Sequence, residues 1–463
     1  MLITIFDVSG CIVAIVFLLF CYRGFAGTQA ANRSKRKIVN VFPLSHQKNI
    51  VPKNGRPLLA VLVLGLFPAT AMRAQTSTQA AQDANAKQSG AATTLSAPPV
   101  ETAPVAPLSS PAMVGPLSTA SPRSFDAGPF GKLDVTGILS GFGYWQSRPA
   151  SSDQAARADV SNGQVFIQKT NGLVQYFLQA GAYNLPALGT PFLSTRNTVS
   201  DYFGALPQAY LKLAPKGNFS FLIGKLPTLI GAEDTFSFEN LNIERGLLWN
   251  QENDVNRGMQ ANYAKGKLSG SLAWNDGFYS NRYNWLTGEL TYAPNAANSL
   301  EVVAGGNLGR TAYLSVATPL YQNNSDIYDI IYTHTAKRWM VQPYFQYTDV
   351  PLDVKIGVRR ATATQGEAVL GSYNVAPDLT MTGRVEYISS TGNTHNGAVN
   401  LLYGPGSQAW SLTLTPTYQK KAFFARGEFS FVQAVNSTAG EALGPQNSNS
   451  NQTRGMIETG FMF

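Results

Sequence analysis

Cysteine is almost missing from this chain. Its two cysteines, Cys11 and Cys21, sit near the start, so the rest of the sequence has no disulfide framework, no thiolate metal site and no cysteine nucleophile. Histidine is nearly as scarce, at three residues in 463. Charge is thin: Asp, Glu, Lys and Arg make up 13% of the chain, about half the share usual in a soluble domain. Long apolar runs are also lacking. Although 44% of residues are hydrophobic, no stretch outside the N-terminal region approaches the ~18 apolar residues of a membrane helix, and mean hydropathy is −0.08.

The formal charge of +8 is not a nucleic-acid signal. Nine Lys/Arg (Arg23, Arg33, Lys35, Arg36, Lys37, Lys48, Lys53, Arg56, Arg73) and one acid, Asp7, precede residue 76, leaving 26 basic and 26 acidic residues beyond it. A balanced remainder offers no basic patch for phosphate, so no nucleic-acid partner is expected. What is abundant is 42 Gly, 20 Tyr and 25 Phe. That suits turn-rich strands closed into a barrel, where apolar residues alternate with polar ones. A large secreted β-protein would share this composition, and only the residue pattern separates the two.

Residues 453–463 (TRGMIETGFMF) carry that pattern. Gly455, Ile457, Thr459, Phe461 and Phe463 fall on one side, and Arg454, Met456, Glu458, Gly460 and Met462 on the other. Period two writes a strand with one apolar, aromatic face and one partly charged face. The stretch is long enough to cross a bilayer as a tilted strand. A last strand ending on Phe461 and Phe463 resembles the C-terminal signal read by the machinery that inserts bacterial outer-membrane barrels.

The N-terminal region divides into three. Lys53 and Arg56, the apolar core 57–67 and the small residues Ala71 and Ala74 read as a signal peptide over 51–75, cleaved after Ala74 or Gln75. Residues 3–20 are also apolar and are followed by Arg23 and the basic cluster 33–37. As an inner-membrane anchor they would sit badly with a second export signal. The simpler expectation is that 1–50 is an over-extended start, with translation beginning near Val51. Residues 76–124, rich in Ala, Pro, Ser, Thr and Gln, cannot bury enough apolar surface to offset their ordering entropy and read as a flexible periplasmic extension.

From about residue 125 to 463 the chain reads strand, turn, strand. Segments 164–170 and 173–180 flank Asn171-Gly172, the strongest hairpin signal in the chain. Further strands are expected at 131–145, 207–213, 218–225, 258–264, 267–274, 283–292, 300–308, 326–335, 339–347, 353–360, 367–374, 380–388, 398–403, 409–418, 422–432 and the terminus. The fold class is therefore an all-β transmembrane antiparallel up-and-down barrel. About 16 strands are expected, within a range of 12–18, because such barrels close on even numbers with ~10 residues per strand. Aromatic clusters such as Tyr144/Trp145, Tyr283/Trp285 and Tyr344/Phe345/Tyr347 fit interfacial girdles at strand ends.

Residues 221–258 bring a resemblance. Gly224, Thr228, Gly231 and Glu233 form a Gly-x-x-x-Thr-x-x-Gly-x-Glu core, followed by Asn240, Arg245, Leu247, Leu248 and Arg257-Gly258. This segment resembles the outer-membrane β-barrel porins of the OmpL-like, porin-2 type, over roughly 125–463. Asn275-Asp276-Gly277 matches that family's Asn-Gly-Trp ending, except that Phe278 stands in place of Trp. The resemblance implies a porin-like barrel and carries over no functional residue.

The residues themselves point to the connection 228–256. It holds Glu233, Asp234, Glu239, Glu244, Glu252 and Asp254 against one base, Arg245. In general porins a long early loop folds inward and narrows the pore. Arg359, Arg360, Arg384 and Arg426, all read as lying on later strands, are the candidate basic wall opposite these acids. Opposed charges across a cleft favour polar over apolar solutes. The competing reading is an extracellular, solvated loop.

Enzyme chemistry finds little support. His334 and His395 are the only barrel histidines, and neighbouring Ser389, Ser390 and Asn396 are too ordinary here to mark a triad. There is no Gly-x-Ser-x-Gly, His-Glu-x-x-His or phosphate-cradling loop. Glu233-Asp234 lacks the spaced ligands of a Ca²⁺ loop. No cofactor or metal is expected. The expected partners are outer-membrane lipid, the barrel assembly machinery during insertion and small hydrophilic solutes. A homo-oligomer is compatible with the sequence, though nothing marks its interface. The leading function is passive diffusion of small hydrophilic solutes or ions through an outer-membrane porin. The alternatives are a non-conducting surface barrel acting as adhesin or receptor, and a barrel hydrolase.

Overall fold

The computed structural model describes residues 2–8, 11–17, 113–119, 121–391 and 402–463. The expected signal peptide 51–75, residues 76–112 and His395 lie outside the described residues. Leu2–Val8 and Cys11–Phe17 form an antiparallel hairpin within a separate unit. Among the described residues no helix is long and apolar enough to cross a membrane.

Sixteen strands make a closed antiparallel barrel. They are β1 Lys132–Gln146, β2 Ala156–Lys169, β3 Val174–Tyr183, β4 Gln208–Leu213, β5 Phe219–Pro227, β6 Val255–Lys265, β7 Leu268–Asn275 and β8 Trp285–Asn295. The second half comprises β9 Asn298–Asn307, β10 Asp326–Thr335, β11 Trp339–Val350, β12 Thr362–Ala376, β13 Leu379–Ser390, β14 Gln408–Lys420, β15 Phe423–Val435 and β16 Asn451–Met462. Each strand pairs with its sequence neighbours, and β16 closes on β1 from Arg454↔Gln146 to Met462↔Ile138. The last residue completes the seam: Gly137 N–H donates to Phe463 O at 2.6 Å, and Phe463 N–H donates to Gly137 O at 2.9 Å. Below it, the short strand Arg123–Asp126 takes the remaining edge of β1. Closure gives each of the sixteen barrel strands a partner on both sides, the condition for a sheet in lipid.

Connections alternate in length. One end of the barrel has turns of two to five residues, and the other has loops of nine to 27 residues, the usual asymmetry of such barrels. Side chains alternate as the strand period demands. On β15, Phe424, Arg426, Glu428, Ser430, Val432 and Ala434 are buried inward, while Phe423 and Phe429 are exposed outward. The charged face of the terminal strand is likewise the inner one: Arg454 and Glu458 are buried, and Ile457 and Phe461 are exposed.

Outward aromatics form two belts. Trp145, Trp274, Tyr328 and Trp410 ring the long-loop end; Phe219, Tyr292, Trp339, Tyr373 and Phe461 ring the short-turn end. Such belts sit at the headgroup levels of a bilayer. His334 belongs to the lower belt, its ring 5.0 Å from that of Trp339 and its Nδ1 2.8 Å from Asn298 Oδ1.

Two expected strands fall away. Residues 353–360 lie in a loop, where Asp353 caps the turn Val354–Ile356 and Gly357 adopts φ 96°. An Asx cap and a left-handed glycine are turn chemistry, and they override the apolar alternation. Of the expected strand 398–403, residues 398–401 lie outside the described residues and Leu402 and Tyr403 fall in a bend.

Candidate functional site

The connection between β5 and β6, residues 228–254, turns inward and is buried along nearly all its length inside the barrel. A buried loop must find partners for its backbone polar groups, and here the β13–β16 wall supplies them. Glu428 accepts from the amides of Ile243 at 2.5 Å and Glu244 at 2.9 Å. Glu386 accepts from Leu247 at 3.0 Å and Leu248 at 3.3 Å. Arg426 donates to the carbonyls of Ser237 (2.9 Å), Asn240 (3.0 Å) and Leu241 (2.8 Å). Two carboxylates on successive amide pairs and one guanidinium on three carbonyls hold the loop by its backbone. Charge-assisted bonds of this kind are roughly twice as strong as neutral ones.

Ion pairs add to the latch. Arg384 Nη1 lies 2.5 Å from Glu233 Oε1, and its Nε lies 3.2 Å from Glu386. Arg454 Nη1 lies 2.7 Å from Glu244 Oε1. Arg426 lies 3.6 Å from Glu458. On the opposite side, Gly231 N–H donates to Asp329 at 3.0 Å. Gln346 Nε2 donates to Glu252 Oε1 at 2.9 Å, and Tyr344 OH stands 2.8 Å from the same oxygen. Gly231 has φ 91°, and a Cβ there would meet Glu252 Oε2 at 1.8 Å; only glycine fits this approach.

The six expected loop acids thus divide by role. Glu233 and Glu244 pair with wall arginines. Glu239 caps the single turn Ser237–Glu239 by accepting from Phe236 N–H at 3.0 Å. Asp234 is tucked against Asn240, whose Oδ1 accepts from its amide at 2.8 Å. Glu252 and Asp254 face a cavity. Burial pushes the Asp234 and Asp254 carboxyls up to about 7, Asp234 also through its neighbour Glu233. Glu239 and Glu252 are raised too, by burial and by Asp234 and Asp329 respectively. Arg245 is wholly buried, with its guanidinium 4.9 Å from the Trp249 ring centroid. Burial brings it down to about 10, partly offset by Asp254, Glu233 and Glu239.

The expected basic wall is half corrected. Arg384 and Arg426 are wall residues facing the loop, but Arg359 and Arg360 are exposed in the connection 351–361 and reach no strand. The turn at Asp353 that removes the strand also removes them. In their place stands Arg454, with Glu386, Glu428 and Glu458 beside the three arginines. The missed signal was parity: Arg384/Glu386, Arg426/Glu428 and Arg454/Glu458 each share the inward face of one strand.

Residues 113–119, the end of the described Ala/Pro-rich segment, also lie inside the barrel. Gly115 N–H donates to Glu239 O at 2.8 Å. Ser118 N–H donates to Gln419 Oε1 at 2.9 Å, and Gln419 Nε2 donates back to Ser118 O at 2.8 Å. Leu117 is buried in the cluster containing Phe166, Phe177, Phe236, Phe238 and Phe424. A Cβ on Gly115 would stand 2.2 Å from Asn240 O, so the segment runs in close contact with the loop. The loop faces a cavity of about 370 Å³ at the long-loop end, and Ser118 faces one of about 550 Å³ at the short-turn end.

The ion-paired part of the latch lies on β13, β15 and β16. Across from it, β5–β9 point Ser220, Gln260, Asn262, Ser271, Glu289 and Glu301 inward, all half-buried. A closed barrel with a polar interior, two outer aromatic belts and a long loop folded within defines an outer-membrane barrel of the porin type. The chain belongs to the family described as putative beta-barrel porin-2, OmpL-like, whose model matches residues 132–463.

No curated protein is significantly similar in sequence. Among solved structures, the anion-selective porin from Comamonas acidovorans is 11% identical, covering 72% of this chain and 99% of its own, with a TM-score of 0.50. The outer membrane channel DcaP of Acinetobacter baumannii is 12% identical over 74% of this chain and 100% of its own, with a TM-score of 0.48. The outer-membrane expressed OmpT of Vibrio cholerae is 12% identical over 72% of this chain and 98% of its own, also with a TM-score of 0.48. The first supports the fold and nothing finer.

Proposed function

We propose that this barrel is a passive diffusion channel for small hydrophilic solutes and ions, with the loop 228–254 as its constriction. One observation carries the reading. The loop's charged latch lies on β13–β16, with further hydrogen bonds to Asp329 on β10 and to Tyr344 and Gln346 on β11, and the polar, half-buried inner face of β5–β9 serves as a water-accessible passage beside it. Passage needs no chemistry, because the closed barrel satisfies its own backbone in lipid. In this reading the short-turn end faces the periplasm and the long loops face outward. Phe461 and Phe463 serve the assembly machinery, and residues 51–75 direct export.

Where ionised, the acids of that passage, Glu289 and Glu301, favour cations over anions. A second reading, a non-conducting surface barrel, draws on residues 113–119, which take up space beneath the loop. Conductance of the full mature chain in planar bilayers separates the two: discrete steps support the channel, and a silent folded barrel supports the surface reading.

A further inference from the structure

The outer surface of the long-loop end is uneven. Connections 276–284, 308–325 and 351–361 join into one collar: Leu308 N–H donates to Asn284 O at 2.7 Å, and a Cβ on Gly357 would touch Leu320 at 3.8 Å. The collar exposes five bases, Arg282, Arg310, Lys355, Arg359 and Arg360. None of them forms an ion pair among the described residues. The nearby acids are held back. Asp276 is buried and paired with Arg257, and Asp353 caps its own turn. Asp326 and Asp349 face each other at the rim ends of β10 and β11, half-buried within electrostatic reach of Arg310. Large apolar side chains stand exposed among the bases: Leu308 (75%), Val354 (69%), Leu314 (64%), Leu352 and Val316. Connections 147–155, 184–207 and 436–450, elsewhere on the rim, differ on both counts. They set Arg148 and Arg196 against Asp153, Asp201 and Glu441, and Leu206 is their one exposed large apolar side chain. Asp326 stands two residues beyond Tyr328 of the belt, about 5–7 Å along a tilted strand, so the collar begins at headgroup level.

We propose that this collar binds a lipid of the surrounding outer leaflet that carries phosphate on an acylated body. The five bases take the phosphates, the arginines in bidentate fashion. Leu308, Leu314, Val316, Leu352 and Val354 lie against the acyl chains at the headgroup boundary. Bases and apolar side chains next to one another at bilayer level complement both halves of such a lipid. A soluble anion would use the charge and leave the apolar patch bare. A second copy presenting the same face would set base against base. Arg359 and Arg360, which reach no strand and no pore wall, belong to this outer surface. The inference takes from the channel reading only the outward placement of the long loops.

Native mass spectrometry of the full mature barrel in nonionic detergent tests it, with bisphosphorylated lipid A, its dephosphorylated form and phosphatidylethanolamine as competing probes. The bisphosphorylated lipid should be retained about tenfold or more tighter than either of the others, and inorganic phosphate should not displace it. Arg310→Gln, Lys355→Gln, Arg359→Gln and Arg360→Gln combined should weaken that retention by about tenfold or more. Arg148→Gln with Arg196→Gln, elsewhere on the rim, should leave it unchanged. Equal retention of the three lipids, displacement by inorganic phosphate, or equal weakening by the two sets of substitutions would overturn the inference. A collar variant that keeps the lipid but changes the oligomeric state would overturn it too, and would give the face to a second copy. The three-lipid comparison needs no variant, so a misfolded mutant does not spoil it. Binding is read without current, so a barrel that fails to conduct leaves the result intact.

Discussion

Arg454 on the last strand and Glu244 in the inward loop meet at 2.7 Å, both buried. The strand that seals the barrel therefore also clamps its internal loop. Arg454 further donates to Ala187 O at 2.9 Å and to Thr190 O, tying in the connection 184–207 as well. Removing one partner of a buried pair leaves the other charge uncompensated, at a cost of roughly 3–5 kcal/mol. Arg454→Gln is expected to lower the temperature at which the folded barrel loses its heat-modifiable gel mobility, and to make channel current noisier. Wild-type behaviour in both assays would mean that the pair does not hold the loop.

Residues 113–119 narrow the lumen from the short-turn end, so freeing them should widen it. Gly115→Val places a Cβ where Asn240 O already stands 2.2 Å away, which should expel the segment while leaving the strands intact. Single-channel conductance is expected to rise, and deletion of residues 76–119 should raise it by a similar amount. Conductance unchanged in both would show that the segment lies off the conducting route.

The acids on β8 and β9 set the ion preference in this reading. Glu289→Gln combined with Glu301→Gln is expected to move the reversal potential under a salt gradient toward the non-selective value. The effect should be larger at low ionic strength, where screening is weaker. A reversal potential unmoved by the double substitution would place the selective charges elsewhere.

Loop docking should respond to pH. Asp234 and Asp254 rise from an ordinary value of 3.8 to about 7 inside the barrel, so the docked state holds protons that the undocked state releases. Their contribution is complete below pH 3.8, shrinks as pH rises, and is lost above about 7. Current noise from loop movement is therefore expected to grow between about pH 4 and 7, and Asp254→Asn should reduce that growth. Noise that instead increases on acidification would reverse the sign and refute the linkage.

Much of this architecture could be read from residue order. Period-two alternation over 422–432 and 453–463 shows the strands and which face is polar, because a one-residue step flips a side chain across the sheet. Asn171-Gly172 marks its hairpin turn. The inward course of 228–254 was legible only as an excess of acids; its latches join residues more than 130 positions apart, such as Glu233 and Arg384, and such pairs follow from barrel closure alone. Arg359 and Arg360 misled because the turn around Asp353 and Gly357 also alternates. The lodging of Leu117 among aromatics is invisible in an Ala/Pro-rich segment, where a single leucine carries no periodic signal.

The most direct measurement is single-channel conductance of the full mature chain in planar bilayers, with the reversal potential taken under a salt gradient. The channel reading expects discrete steps and a reversal potential of cation-selective sign. A folded, heat-modifiable barrel that gives no steps across voltage, salt and pH would contradict it.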